Sequence, residues 1–471
     1  MESYYAWIVA LLAIALSLKY LPEYLFPTST VTSSTPTQDA APLLDGDGGA
    51  DERSKQKATE FASFQRWYIA IFLLVMFADW MQGPYVYKLY AAYSLPTSRI
   101  ALLFIMGFGA SGVCGAFVGS LADKFGRKRM CLLFCALYAV SCATKHFGAY
   151  RILVIGRLLG GVSTSILFSC FESWMVTHHK QRGFSASKLG DTFSKAWSLN
   201  SVVAIAAGVV TSCAVSFYER RGVRPSEMAA FDCSALTLLI AGALITRKWR
   251  RENFGDAHID LRTSLSNAMA LFRSDRRIIL VGVVQSAFES AMYLFVFMWT
   301  MALEEGHRGQ QIDHGMVFAV FMESCLVGAT LSAVLASRLS WRTEKTATAL
   351  CVLAALALFA TPYFESYEVR LCAFVVFEMC VGLYFPSIGA LRGKYVPDSV
   401  RATIMNIFRI PLNVIVVAVL CQIDALGLRK TFHLAAALLI VGAGAAYALH
   451  EFKVTEDEVS SKDAKAQGNG I

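Results

Sequence analysis

The chain has 471 residues, of which 56% are hydrophobic and only 17% charged, with a formal net charge of +8. A soluble protein of this length carries about a quarter of its residues as charges, so the composition excludes a string of soluble domains and indicates a polytopic membrane protein. The basic excess is that of loops facing anionic lipid and carries no argument for nucleic acid. The twelve cysteines lie mostly inside apolar runs, without a Cys-x-x-Cys pair or a Cys/His spacing suited to a metal. Neither a metal nor a cofactor is expected.

In chain order, residues 1–26 hold a first apolar run, 4–21. It lacks the basic n-region and small-x-small cleavage site of a signal peptide, and is read as an extra transmembrane helix with its N-terminus outside. Residues 27–60 are rich in Ser, Thr, Pro, Asp and Gly, and predict a disordered cytoplasmic linker. Twelve apolar runs follow, near 66–87, 100–121, 130–146, 150–176, 191–217, 230–246, 278–303, 315–337, 346–364, 369–390, 401–423 and 431–450. Each predicts a membrane helix. The polar, basic stretch 247–277 separates a six-helix half, 61–246, from a second, 278–450, and 451–471 predicts a disordered cytoplasmic tail. Loops on one side carry roughly twice the Lys and Arg of those on the other, which places both ends of the twelve-helix core in the cytoplasm.

The loop between the second and third core helices reads Gly119-Ser-Leu-Ala-Asp123-Lys-Phe-Gly126-Arg127-Lys128-Arg129. Gly119 permits close backbone approach and Gly126 a positive φ, while Asp123 is placed to pair with Arg127. This Gly-x-x-x-Asp-x-x-Gly-Arg-Lys pattern resembles the loop motif of the major facilitator superfamily of secondary transporters. The resemblance implies an all-α bundle of six plus six helices, here with one extra N-terminal helix. It also implies a cytoplasmic gate in which Glu172, near the end of the fourth helix, latches onto Arg127. The corresponding loop of the second half, ASRLSWRTEK, lacks the Asp and the second Gly.

The halves match at further positions. Asp79 in the first core helix corresponds to Glu289 in the seventh, Arg157 in the fourth to Glu378 in the tenth, and Lys195 in the fifth to Arg409 in the eleventh. An ionisable group at membrane depth faces the bundle interior, a partner or a watery cavity. Arg409 lies roughly 12–14 Å along its helix from the cytoplasmic end. A pseudo-twofold repeat turns Lys195 and Arg409 towards one central space, where two cations suit a small dianion. The competing reading pairs each cation with a carboxylate such as Glu289 or Glu378. Arg157 and Glu378 join the candidate substrate site, and Asp79 and Glu289 are candidates for proton coupling. Tyr85, Tyr87, Tyr90 and Tyr93 are read as an interfacial aromatic belt, the glycines from Gly107 to Gly119 as a helix-packing surface, and His178 and His179 as solvated loop residues.

The stretches FADWMQGPYVYKLY (77–90), GRLLGGVSTSILFSCFESW (156–174), SDRRIILVGVVQSAFES (274–290) and GLYFPSIGALRGKYVPDSVRATIMNIFRIPLN (382–413) resemble the molybdate-anion transporter family. The resemblance implies molybdate, a tetrahedral dianion, as substrate. The working unit is expected to be a monomer in the lipid bilayer, and no nucleotide loop, metal cluster or nucleophile–base pairing in the sequence argues for an enzyme. The plasma membrane is the default location. A proton-coupled carrier of a neutral metabolite and a membrane sensor without net transport are the rival readings.

Overall fold

The computed structural model describes residues 48–468 apart from 116, 250–268, 307–311 and 398–400, together with Trp7, Ala10 and Leu11. Regular structure is helical throughout these residues, because a backbone crossing hydrocarbon must satisfy its own hydrogen bonds. The first half contains α1 (Gly48–Gln82), α2 (Val86–Ala92), α3 (Thr97–Gly115), α4 (Val118–Phe125), α5 (Arg127–Ala143), α6 (Tyr150–Gln181), α7 (Ala186–Arg220) and α8 (Met228–Lys248). The second contains α9 (Arg276–Gly306), α10 (His314–Ser337), α11 (Thr343–Ala360), α12 (Tyr367–Tyr395), α13 (Arg401–Leu420) and α14 (Ile423–Gly468). Among the described residues ten helices are long and apolar enough to cross a membrane. The remaining two expected core spans are α5, of 17 residues, and α13, whose apolar part is Ile407–Leu420, packed among them.

The packing repeats helix by helix. In the first half α3 packs on α6, α5 on α6 and α8, and α1 on α7 and α8. In the second, α10 packs on α12, α11 on α12 and α14, and α9 on α13 and α14. The halves meet along α7 with α10 and along α3 with α13, pairs that the same twofold exchanges. Small residues set the closest approaches. A Cβ on Gly208 would sit 2.5 Å from the Gly315 carbonyl, and one on Gly161 or Gly382 would collide with the backbone of Gly107 or Cys325.

Several expectations are corrected. Residues 48–60 of the expected linker are the first turns of α1, and the expected disordered tail continues α14 to Gly468. Both extend a membrane helix that already exists, so no nucleation is needed, and Ala, Glu, Lys and Gln dominate both stretches. Within α14 the path breaks at Gly427, where φ is 63°, a conformation suited to glycine. Most of the expected first helix lies outside the described residues. Its Trp7 and Leu11 pack against Val320 and Val327 of α10 and Val375 and Met379 of α12. Tyr85, Tyr87 and Tyr90 are buried rather than belted around the interface.

Candidate functional site

At the end assigned to the outside, hydrogen bonds cross between the halves. Lys88 on α2 pairs with Glu304 at the end of α9. Ser212 on α7 donates to Asp313 Oδ2 at 2.5 Å, and the Gly315 N–H donates to Tyr85 OH at 3.1 Å. Ring contacts continue this seam inward, Tyr87 with Phe297 at 5.5 Å and Phe108 stacked on Tyr293 at 4.8 Å. Nearer the cytoplasm Glu172, Lys195 and Arg409 are exposed, and a Cβ on Gly119 would meet nothing within 4 Å. The close approach expected at Gly119 is therefore not made in this conformation.

Arg409 and Lys195 make no hydrogen bond or ion pair among the described residues, with each other or with a carboxylate. Arg409 crosses to the first half. Its Nη1 lies 3.7 Å from where a Cβ on Gly115 would stand, and Ser165 Oγ lies 3.8 Å from the same point. One turn on, Asn413 Nδ2 lies 3.1 Å from the corresponding point at Gly112. The small residues of α3 thus make room for polar side chains of α13, which the packing-surface reading left out. Lys195 stands on α7 between two polar anchors of that helix. Thr192 accepts from Gln65 at 2.8 Å, and Asn200 accepts from Trp80 at 3.0 Å.

The carboxylates expected to neutralise these cations are otherwise engaged. Glu289 Oε1 accepts from Tyr384 OH at 2.9 Å and lies 3.4 Å from Arg392. Arg392 also donates through Nε to Gln285 at 3.1 Å. Arg392 was assigned to a cytoplasmic loop; α12 extends through it, so its charge returns along the helix to Glu289. Glu378 is buried in the α10/α12 seam, where Cys325 Sγ lies 3.0 Å from Oε2. Arg157 occupies the matching α3/α6 seam, donating to the Leu103 carbonyl at 3.1 Å with its guanidinium 4.8 Å from the Phe104 ring centroid. The structure therefore places Arg157 and Glu378 in separate, corresponding seams, one in each half. Asp79 accepts from Tyr138 at 2.6 Å, a tyrosine of α5, whereas the tyrosine on Glu289 comes from α12.

At the cytoplasmic end, Gly126 takes φ 97° and starts α5, as the motif requires. Arg127 pairs with Asp123 at 2.7 Å and reaches α6 at the Ser173 carbonyl and the Thr177 hydroxyl. The latch thus engages α6 beside Glu172, and the Glu172 carboxylate itself is exposed. The second half has its own anchor. Glu344, only 1% exposed, receives Lys394 and Tyr395 from the end of α12, the latter at 2.6 Å. Sequence reading missed it because its chemistry is inverted: the acid lies on the loop and the cation on the helix. His178 and His179 are buried in the last turns of α6 rather than solvated. Trp249 stacks on Trp174 at 3.6 Å and His178 stacks on that indole at 4.9 Å, closing an aromatic cap over the helix end. Among the described residues no cluster of His, Cys, Asp or Glu could hold a metal.

Two six-helix halves that repeat their packing, with charged residues along the seam between them, define a secondary transporter of the major facilitator type. The chain belongs to that superfamily: a family model described as sugar transporters, 12 TM, matches residues 41–373. It is 32% identical over 421 residues to the molybdate-anion transporter of Xenopus tropicalis, covering 87% of this chain and 91% of that one. It is 34% identical over 381 residues to the molybdate-anion transporter of Takifugu rubripes, covering 75% and 78%. An auto-inhibited POT family peptide transporter shares the fold with a TM-score of 0.63 at 12% identity, over 82% of this chain and 96% of that one. The protein is thus a multi-pass membrane transporter and not an enzyme.

Proposed function

We propose that the protein carries a small tetrahedral oxyanion, molybdate before sulfate, across the plasma membrane by alternating access of its two halves, working as a monomer. The observation that carries this reading is the pair Lys195 and Arg409. They occupy equivalent helices, are exposed, and make no hydrogen bond or ion pair among the described residues, Glu289 lying within longer electrostatic reach of Arg409, whereas Arg157, Arg392, Lys88 and Lys394 are all engaged. Arginine offers a planar fork to two oxyanion oxygens and lysine a point charge. The relatives named for molybdate support the same substrate. Joined outer ends with Lys195, Arg409 and Gly119 accessible correspond to a carrier loaded or emptied from the cytoplasm. Asp123, Arg127 and the helix turn bearing Glu172 then act as the inner gate, with Gly119 reserved for the state in which that end closes.

The test is uptake of labelled molybdate into proteoliposomes. Lys195→Ala and Arg409→Ala are each expected to lower saturable uptake by about 10- to 100-fold, the worth of one hydrogen bond to a charged group. Undiminished uptake in both variants would move the site elsewhere. A second reading, a neutral solute carrier coupled to protons, has the family description in its favour. It predicts saturable flux of an uncharged solute that is indifferent to Lys195.

A further inference from the structure

His314, the first residue of α10, is 3% exposed and sits where the outer ends join. Its Nδ1 lies 2.9 Å from the Ile312 carbonyl oxygen and its Nε2 lies 3.5 Å from Glu304 Oε1. The rings of Trp299 on α9 and Tyr85 on the opposite half flank it, with centroids at 5.7 Å and 6.2 Å. A carbonyl only accepts, so Nδ1 carries a hydrogen. An ionised carboxylate also only accepts, so a neutral imidazole would turn its remaining lone pair towards Glu304. Nε2 is buried without a hydrogen-bond partner and is aimed at Glu304 Oε1, so a proton on Nε2 would turn this contact into an ion pair.

The surrounding charges agree. Glu304 also receives Lys88 from α2. Asp313, the N-cap of α10, accepts from the Met316 N–H at 3.1 Å and from Ser212 of α7. Glu305 is taken up by Arg370 at 3.0 Å, and Glu227 and Asp313 lie within electrostatic reach of the Tyr85 hydroxyl. Among the described residues, with His314 neutral, this cluster holds one cation, Lys88, against the carboxylates of Glu304, Asp313 and Glu227. A proton on the buried His314 brings these charges closer to balance, with Lys88 and Glu304 themselves about a third exposed.

We propose that the outer closure is a proton-binding site: joining the halves at this end captures one proton between His314 and Glu304, and losing that proton releases them. This rests on the alternating-access reading and relocates proton linkage from Asp79 and Glu289 to the outer rim. Acid outside favours the outward-closed state, and alkali favours opening.

The test measures the outer gap without substrate. Spin labels are placed at Ser94→Cys and Glu365→Cys, on the outer turns of the two halves, after replacement of the exposed cysteines Cys213, Cys372 and Cys421. Electron–electron distances are recorded between pH 5.5 and 8.5. The wild-type ratio of closed to open is expected to fall by up to tenfold per pH unit across the titration, as one linked proton dictates. Glu304→Gln supplies an amide N–H to a neutral His314, so it should stay closed at high pH with the pH response lost. His314→Gln should also lose the response. Nitrogen-15 spectra of labelled histidine, with His314 assigned through His314→Gln, should show both ring nitrogens protonated in the closed state. A pH-independent wild-type gap, a response surviving in both variants, or a neutral His314 in the closed state would each overturn the proposal. A wild type that responds to pH yet moves no molybdate would sink the substrate reading alone.

Discussion

The two halves hold their cytoplasmic loops by opposite chemistry. In the first, a loop arginine, Arg127, reaches out to hydroxyl and carbonyl acceptors on α6. In the second, a loop carboxylate, Glu344, receives a lysine and a tyrosine from α12. The same inversion runs through the seams, where Arg157 lies against α3 and Glu378 against α10. A repeat preserves helix packing and the need for an anchor at each place, but not the sign of the charge that provides it. Burial differs too. Asp123 is 29% exposed and Glu344 only 1%, while their cations run the other way, Arg127 at 12% and Lys394 at 40%, so stranding the buried acid of the second anchor is the costlier change.

The comparison can be broken at its deepest ion pair first. Arg392→Ala leaves Glu289 without its cation and should destabilise the protein by about 3 kcal/mol, the low end for breaking a buried pair because Arg392 is 27% exposed. Thermal unfolding in detergent reads this, and Glu289→Gln in the same background should recover part of the loss. Glu344→Ala strands Lys394 and Tyr395 and should cost about 2 kcal/mol. Asp123→Asn removes a partly buried i,i+4 pair, but Arg127 keeps the Ser173 carbonyl and the Thr177 hydroxyl, so it should cost about 1 kcal/mol, while slowing transport more than it weakens substrate binding. Equal loss of stability in Glu344→Ala and Asp123→Asn would erase the distinction between the two anchors. The smallest effect on stability is expected for Gly119→Ala, which meets open space here and should leave the melting temperature unchanged. If this end closes during the cycle, turnover should nevertheless fall. Unchanged turnover would remove Gly119 from the gate.

Much of the site was readable as a set of residues and little of it as a set of partners. Asp79, Glu289, Lys195 and Arg409 stand out because charge at membrane depth is costly. Their surroundings do not. Arg392 looked like a loop residue because the end of an apolar run is an uncertain guide to the end of a helix. The outer closure was missed because Lys88 and Glu304 lie 216 positions apart, each an ordinary charge at the end of an apolar run. The buried state of Tyr85 and His178 likewise follows from helices that reach them from elsewhere in the chain, α10 with His314 in one case and α1 with Phe64 in the other.

By itself the sequence determined that this chain lives in a membrane, where its twelve core helices run, and that the core is a six-helix unit used twice. Those features follow from the solvent: hydrocarbon demands long apolar stretches with internally bonded backbones, and both demands are written residue by residue. Tertiary structure alone decided which charges neutralise one another, that Lys195 and Arg409 make no hydrogen bond or ion pair among the described residues, and that the outer ends meet around His314. An ion pair depends on distances between helices far apart in sequence, and such distances arise only when the bundle packs.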